Sequence, residues 1–371
     1  MESIECDFLE YDRMGEEGKM SNHFVFRRSD ARRVIGAVIW MCCLGSARLC
    51  WSEGTAPQVT SATPEIVSVK KIWDKGAHNA FTDLIRFQNK WYCTFRGAEG
   101  HVKGDGRIRV IVSPDGEAWE SAALLAEEGI DLRDPKLSIT PDGRLMIVAG
   151  GSVYRGGKLV GRQPRVAFSA DGQKWTPTQR VLSEGEWLWR VTWHEGRAYG
   201  VSYRASADKT QKPDWSLRLV ASRDGVSYEE IAKLDVPNRA NETTLRFRDN
   251  GEMIALVRRE EGNTFGWIGL SRPPYTSWKW HETQYRLGGP NFIQLPDGSM
   301  WAAGRDHPGG AKTVLARFGP ETYEPVLTLP SGGDCSYPGL VWHEGLLWMS
   351  YYSSHEGKTS IYLAKIRLSR G

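Results

Sequence analysis

Three arginines stand at the far ends of related segments in this 371-residue sequence. Arg96 closes FTDLIRFQNKWYCTFR, Arg258 lies near the end of NETTLRFRDNGEMIALVRR, and Arg305 closes GPNFIQLPDGSMWAAGR. Arg258 and Arg305 each follow a turn glycine, Gly251 or Gly298, by seven residues. Guanidinium forks held at one register suit a bidentate grip on a carboxylate. Carboxylates begin the same kind of segment, at Asp83, at Asp134 in DLRDPKL, and at Glu242. Such a set can supply the acid and base that cleave a glycosidic bond. EWLWRVTWHEG adds Trp187, Trp189, Trp193 and Arg190, a candidate face for stacking a sugar ring. His194 and His343 sit in HEG turns without partners at ligand spacing, and Cys93 and Cys335 are the only cysteines beyond residue 50. The sequence therefore calls for no metal and no cofactor.

A repeat positions these residues. Each copy is an apolar strand, a polar turn and a second apolar or aromatic strand; the six copies run over residues 81–96, 133–150, 189–204, 241–259, 289–305 and 336–352. Their turn glycines, Gly143, Gly196, Gly251, Gly298 and Gly345, lie 47 to 55 residues apart. A third strand follows, as in RIRVIVS, PRVAFS, SLRLVAS and GWIGLS, and then a fourth. Period-2 alternation between turn signals, without a helical pattern, predicts an all-β six-bladed propeller of four-stranded blades. SIYLAKIRL at the C-terminus is a third strand with no successor, and EIVSVKKIW near residue 65 is a strand without a blade. The N-terminal strand is therefore expected to close the last blade, making residues 60–371 one domain.

Residues 1–54 read as a leader. An apolar run, VIGAVIWMCCL (34–44), follows Arg27, Arg28, Arg32 and Arg33 and precedes Gly45, Ser46 and Ala47. That is the order of a secretory signal peptide, and the run is too short for an ordinary transmembrane span. Export to the periplasm or the medium is expected, without stable membrane insertion. A net charge of +3, with scattered Lys and Arg, argues against a nucleic-acid partner.

The turns between third and fourth strands repeat as SPDGEAW (113–119), SADGQKW (169–175) and SRDGVSY (222–228). Their chemistry is local: Asp accepts backbone N–H groups of its own turn, Gly adopts the left-handed conformation, and Trp covers both. These turns resemble the Asp-box, and over six blades the chain resembles the sialidase (neuraminidase) superfamily. The resemblance implies hydrolysis of terminal sialic acids by a Tyr nucleophile, a Glu that activates it, an Asp acid/base and three arginines on the substrate carboxylate. Residue by residue, it makes Tyr337 of DCSYPGL the nucleophile, Glu242 its base, and Arg258 and Arg305 the second and third arginines. No arginine opens the first blade: AHNAFTDLIRF has His78 or Asn79 there, and Arg96 either compensates as a substrate contact or corresponds to a supporting residue. The acid/base falls on the loop 97–107, where Asp105 is the candidate and His101 a second proton carrier. The expected function is that of an exported sialidase-like hydrolase acting on an acidic sugar of a glycan or glycoconjugate. Two alternatives stay open. One is a glycosidase for another sugar using Asp83, Asp134 and Glu242, with Arg133 next to Asp134 at the start of blade two. The other is a propeller that binds glycans without cleaving them.

Overall fold

A computed structural model describes residues 63–102, 104–205 and 215–368. The expected leader lies outside the described residues. These residues form six four-stranded antiparallel sheets and no helix. Five sheets are simple meanders. The sixth joins Glu65–Trp73 to the final strand Ser360–Arg367, so the N-terminal strand closes the last blade as the sequence predicts.

The first strand of each blade lies against the first strands of both neighbouring blades, which defines the central axis. These inner strands are His78–Phe87, Asp131–Ile139, Glu186–His194, Thr243–Phe247, Asn291–Gln294 and Cys335–His343. Apolar cores fill the wedges between blades. Phe87, Tyr92 and Ile108 meet Leu137 and Ile147 between blades one and two, and Ile254 and Leu256 meet Phe292 and Ala302 between blades four and five.

Polar side chains tie the inner strands together around the axis. The Thr82 hydroxyl donates to the Tyr337 carbonyl at 2.8 Å, and Lys136 Nζ donates to the Thr82 carbonyl at 3.2 Å. Arg190 Nη1 donates to Asp83 Oδ2 at 2.8 Å, and the same oxygen accepts the Leu137 N–H at 2.7 Å. Thr192 donates to the Leu245 carbonyl, Thr244 to the Pro290 carbonyl, and Asn291 to the Pro338 carbonyl, at 2.7, 2.7 and 3.0 Å. The result is a closed polar belt through all six blades.

The Ser-x-Asp-Gly turns are built alike in three blades. In the first, the Ser113 hydroxyl donates to Asp115 Oδ1 at 3.0 Å, and the Gly116 N–H donates back to Ser113 Oγ at 2.8 Å. Trp119 Nε1 then donates to the Gly116 carbonyl at 3.2 Å. A side chain at Gly116 would meet the Trp348 ring at 2.4 Å, so the turn also seats blade one against blade six.

Candidate active site

One extra residue in an inner strand shapes the axial pocket. The pairing of inner and second strands skips a residue at Phe81–Thr82, Asp134–Pro135, Trp189–Arg190 and Tyr337–Pro338. These are equivalent positions in blades one, two, three and six. A bulge of this kind bends the strand and re-aims a side chain. Phe81, Asp134 and Tyr337 also adopt left-handed φ values of 64°, 50° and 53°. Left-handed backbone at non-glycine residues costs about 1–3 kcal/mol each and clusters at functional sites. Prolines after Asp134 and Tyr337 suit the bulge, because no N–H is demanded there.

Tyr337 is the centre of the arrangement. Its hydroxyl donates to Glu242 Oε1 at 2.7 Å and receives an N–H from Arg258 Nη1 at 3.3 Å. Arg258 Nη1 also pairs with Glu242 Oε1 at 2.7 Å, and its Nη2 pairs with Glu260. The other Glu242 oxygen accepts the Gly289 N–H at 2.9 Å. Gly289 has φ 58°, and a Cβ there would meet Tyr337 Cγ at 2.6 Å, so only glycine leaves room for the ring. The Arg305 guanidinium lies over the Tyr337 ring at 5.8 Å; it makes one contact to the Cys335 carbonyl at 3.3 Å, and its buried Nε has no partner. Phe81 and Trp189 wall the ring at centroid distances of 5.1 and 5.5 Å. Burial, then the Glu242 charge, hold the Tyr337 phenol well above its ordinary pKa. Ionisation must therefore be coupled to proton transfer to Glu242.

Asp134 is buried at the equivalent bulge of blade two, near enough to feel the Glu242 charge, and its Oδ1 has no hydrogen-bond partner. Burial raises its pKa against the pull of Arg133 and Lys136, and Glu242 raises it further. A raised pKa is the direction that suits a general acid. Lys136 is 2 % exposed, caps the Trp189 ring at 4.7 Å and the Tyr337 ring at 5.7 Å, and is pushed down to about 8 by burial. Sequence reasoning missed both Lys136 and Gly289. The only signal was Asp-Pro and Gly-Pro at a register that Tyr-Pro shares in blade six.

The remaining candidates fall elsewhere. Arg96 is fully buried, and its Nε and Nη2 grip the two oxygens of Asp131 at 2.6 and 3.1 Å; its Nη1 donates to the Gly100 carbonyl at 2.8 Å. Every arm is spent on protein, so Arg96 is not presented to a ligand. Asp105 is exposed and its Oδ2 caps the Gly129 N–H at 3.2 Å, which places it on the loop surface and outside the pocket. Asp83 and Arg190 neutralise each other inside the belt, with 2 % and 4 % exposure. That removes Asp83 from the expected carboxylate trio and Arg190 from the substrate contacts. Trp187 packs on the backbone of Gly150, Trp189 is 1 % exposed, and the partly buried Trp193 packs against the core that holds Val191 and Val220, so the three do not form a stacking face. Arg133 stays at the pocket edge, over the Phe81 ring at 5.1 Å, with long contacts to Asp131 and the Tyr154 hydroxyl at 3.4 and 3.3 Å. At His78, where the resemblance expects an arginine, Nε2 donates to Asp334 Oδ2 at 3.0 Å.

The propeller has parallels among solved structures. A protein of unknown function from Dyadobacter fermentans superposes with a TM-score of 0.73 at 18 % identity, covering 82 % of this chain and 99 % of its own. An α-L-arabinofuranosidase from Fusarium graminearum, in complex with an iminosugar inhibitor, superposes at 0.65 with 14 % identity, over 82 % and 99 %. The Trypanosoma rangeli sialidase superposes at 0.62 with 10 % identity. This chain carries the six-bladed propeller fold of the arabinofuranosidase and the sialidase. The match covers 78 % of this chain but only 55 % of the sialidase, so the propeller spans about half of that enzyme. No protein-family model matches the sequence, and no curated protein does.

Proposed function

We propose that the propeller is a glycoside hydrolase for a terminal sugar bearing a carboxylate, with Tyr337 as nucleophile. The observation that carries this reading is the buried 2.7 Å hydrogen bond from Tyr337 to Glu242. A neutral phenol does not repel an anionic sugar as a carboxylate nucleophile would. Glu242 takes the phenol proton as the Tyr337 oxygen attacks the anomeric carbon, and Asp134 gives its proton to the departing glycosidic oxygen. Water then attacks the same carbon with its proton passing to Asp134, and Tyr337 leaves, recovering its proton from Glu242. Arg305, with donors to spare, and Arg258 grip the sugar carboxylate. The function of the chain outside the cell rests on the leader-like residues 34–44.

The arabinofuranosidase fold match and the unpartnered Asp134 favour one second reading, in which Asp134 is the acid and Glu242 itself the nucleophile on a neutral sugar. Turnover of aryl sialosides, aryl uronides and aryl arabinofuranosides by the parent protein and by Tyr337→Phe separates the two. The first reading expects cleavage of an acidic glycoside that falls at least ~1000-fold in the variant, the scale of losing a covalent nucleophile. Cleavage of a neutral glycoside that survives Tyr337→Phe supports the second. A protein that binds glycans on an array but releases no sugar sinks both.

A further inference from the structure

At the mouth of the pocket, two histidines and one aspartate from distant parts of the chain aim at one point. His78 Nε2 and His101 Nδ1 lie 3.0 and 2.8 Å from the same oxygen, Asp334 Oδ2. All three atoms fall within 4.8 Å of one another. The two imidazole rings meet edge to face at 5.7 Å, so their nitrogens converge without stacking. The second Asp334 oxygen accepts the Tyr352 hydroxyl at 2.8 Å, and the Ser354 hydroxyl receives the Asp334 N–H at 2.9 Å. Asp334 is thus fixed in orientation by partners that leave Oδ2 free for the histidines. His78 is 8 % exposed and comes from the inner strand of blade one, whereas the His101 and Asp334 side chains are about one-third and one-quarter exposed. The cluster has rigid support on one side and an open path on the other.

We propose that His78 Nε2, His101 Nδ1 and Asp334 Oδ2 bind a first-row transition-metal ion, zinc foremost. Ligands at about 2.0–2.1 Å from zinc lie roughly 3 Å from each other, close to the 3.0 and 2.8 Å between the histidine nitrogens and Asp334 Oδ2. A cation can therefore take the place of the two protons that now point at Asp334 with little movement of the chain, each imidazole ligating as the neutral form with its proton on the other ring nitrogen. Two imidazoles and one carboxylate select zinc and its neighbours over calcium or magnesium, which favour all-oxygen shells. Three protein ligands on one face leave coordination positions open. Those positions adjoin the reactive centre through Phe81, whose ring touches His101 at 5.3 Å and Tyr337 at 5.1 Å. The ion also supplies positive charge at the corner where the sialidase pattern has its first arginine and this sequence has His78. That role rests on the proposed function; the site itself does not.

The test is metal binding by the tag-free full chain after stripping with a chelator. Calorimetric titration with Zn²⁺ is expected to saturate at one ion per folded chain, and Co²⁺ in its place to give a visible d–d band. His101→Ala and Asp334→Asn are each expected to weaken Zn²⁺ binding at least ~100-fold, more than the 10–100-fold of outer-shell changes. His101→Gln guards against a folding defect, since it keeps size and polarity at a half-exposed loop, and its melting curve verifies the fold. Absence of saturable Zn²⁺ and Co²⁺ uptake by the parent, or equal uptake by parent and folded variants, overturns the proposal. Because no sugar is involved, an inactive hydrolase with an intact metal site remains distinguishable from an active one without it.

Discussion

Asp83→Asn separates architecture from chemistry in this pocket. Asp83 Oδ2 receives both Arg190 Nη1 and the Leu137 N–H. Asparagine retains an oxygen for the Leu137 N–H and lacks only the charge. Arg190, 4 % exposed and without a second carboxylate partner, is then a buried cation with nothing to neutralise it. Breaking a buried pair from one side costs about 3–5 kcal/mol. With about 300 residues in the propeller at ~2.1 cal/mol/K each, the unfolding entropy is ~0.6 kcal/mol/K, and the melting temperature should fall by about 5–8 °C. Replacing both partners, Asp83→Asn with Arg190→Met, should recover most of that loss, because a buried pair exchanged for apolar packing is nearly neutral. Calorimetric melting of the parent, both single variants and the double variant measures it. Well below the melt, turnover by Asp83→Asn should stay within a few-fold of the parent. An unchanged melting temperature together with abolished turnover would show Asp83 to be a reacting group and refute this reasoning.

Gly289→Ala should cut turnover by about 100-fold while removing no reactive group, since its methyl would sit 2.6 Å from Tyr337 Cγ and push the ring off line; stopped assays on the best aryl glycoside measure it, and near-parental turnover counts against the placement of Tyr337. Asp134→Asn should abolish turnover of substrates with poor leaving groups yet melt above the parent at pH 7. The sign follows from its raised pKa: the folded state favours the protonated form, so ionisation destabilises the parent as pH rises through the folded value. The two melting curves should converge near pH 3, below the ordinary carboxyl pKa of about 3.9, and a gain that persists there contradicts the assignment. Tyr337→Phe should melt within about 2 °C of the parent, because Glu242 keeps its bonds from Arg258 and Gly289 when the hydroxyl is gone.

The blade count was legible because punctuation repeats: Ser-x-Asp-Gly turns and turn glycines set a register that needs no tertiary knowledge. That register also brought Glu242, Arg258, Arg305 and Tyr337 to one axis, since equivalent positions of a radial fold share a radius. What it could not give was the partner of each charge. Arg96 looks like Arg305 in sequence, yet Asp131 from the next blade occupies both its forks. Asp83 and Asp134 occupy neighbouring registers, and a one-residue bulge decides which enters the pocket and which is buried in the belt. His78 and Asp334 are separated by 256 positions, and only closure of the ring brings them together.

The polar belt has a consequence for how the chain comes to be active. Thr82 of blade one waits for an acceptor on blade six, and Asn291 of blade five for another. An incomplete propeller therefore holds buried donors with nowhere to go, a condition that proteins avoid. The closing strand pair deepens this dependence, because Glu65 and Arg367 meet across 302 positions. Early blades gain little until the last one docks, so folding should be nearly all-or-none and slow, as expected when distant contacts dominate. Glu242 and Tyr337 come from blades four and six, and His78 and Asp334 from the first and last blades, 256 positions apart along the chain. Neither site exists in any shorter product of synthesis, which makes chemical competence itself a reporter of ring closure.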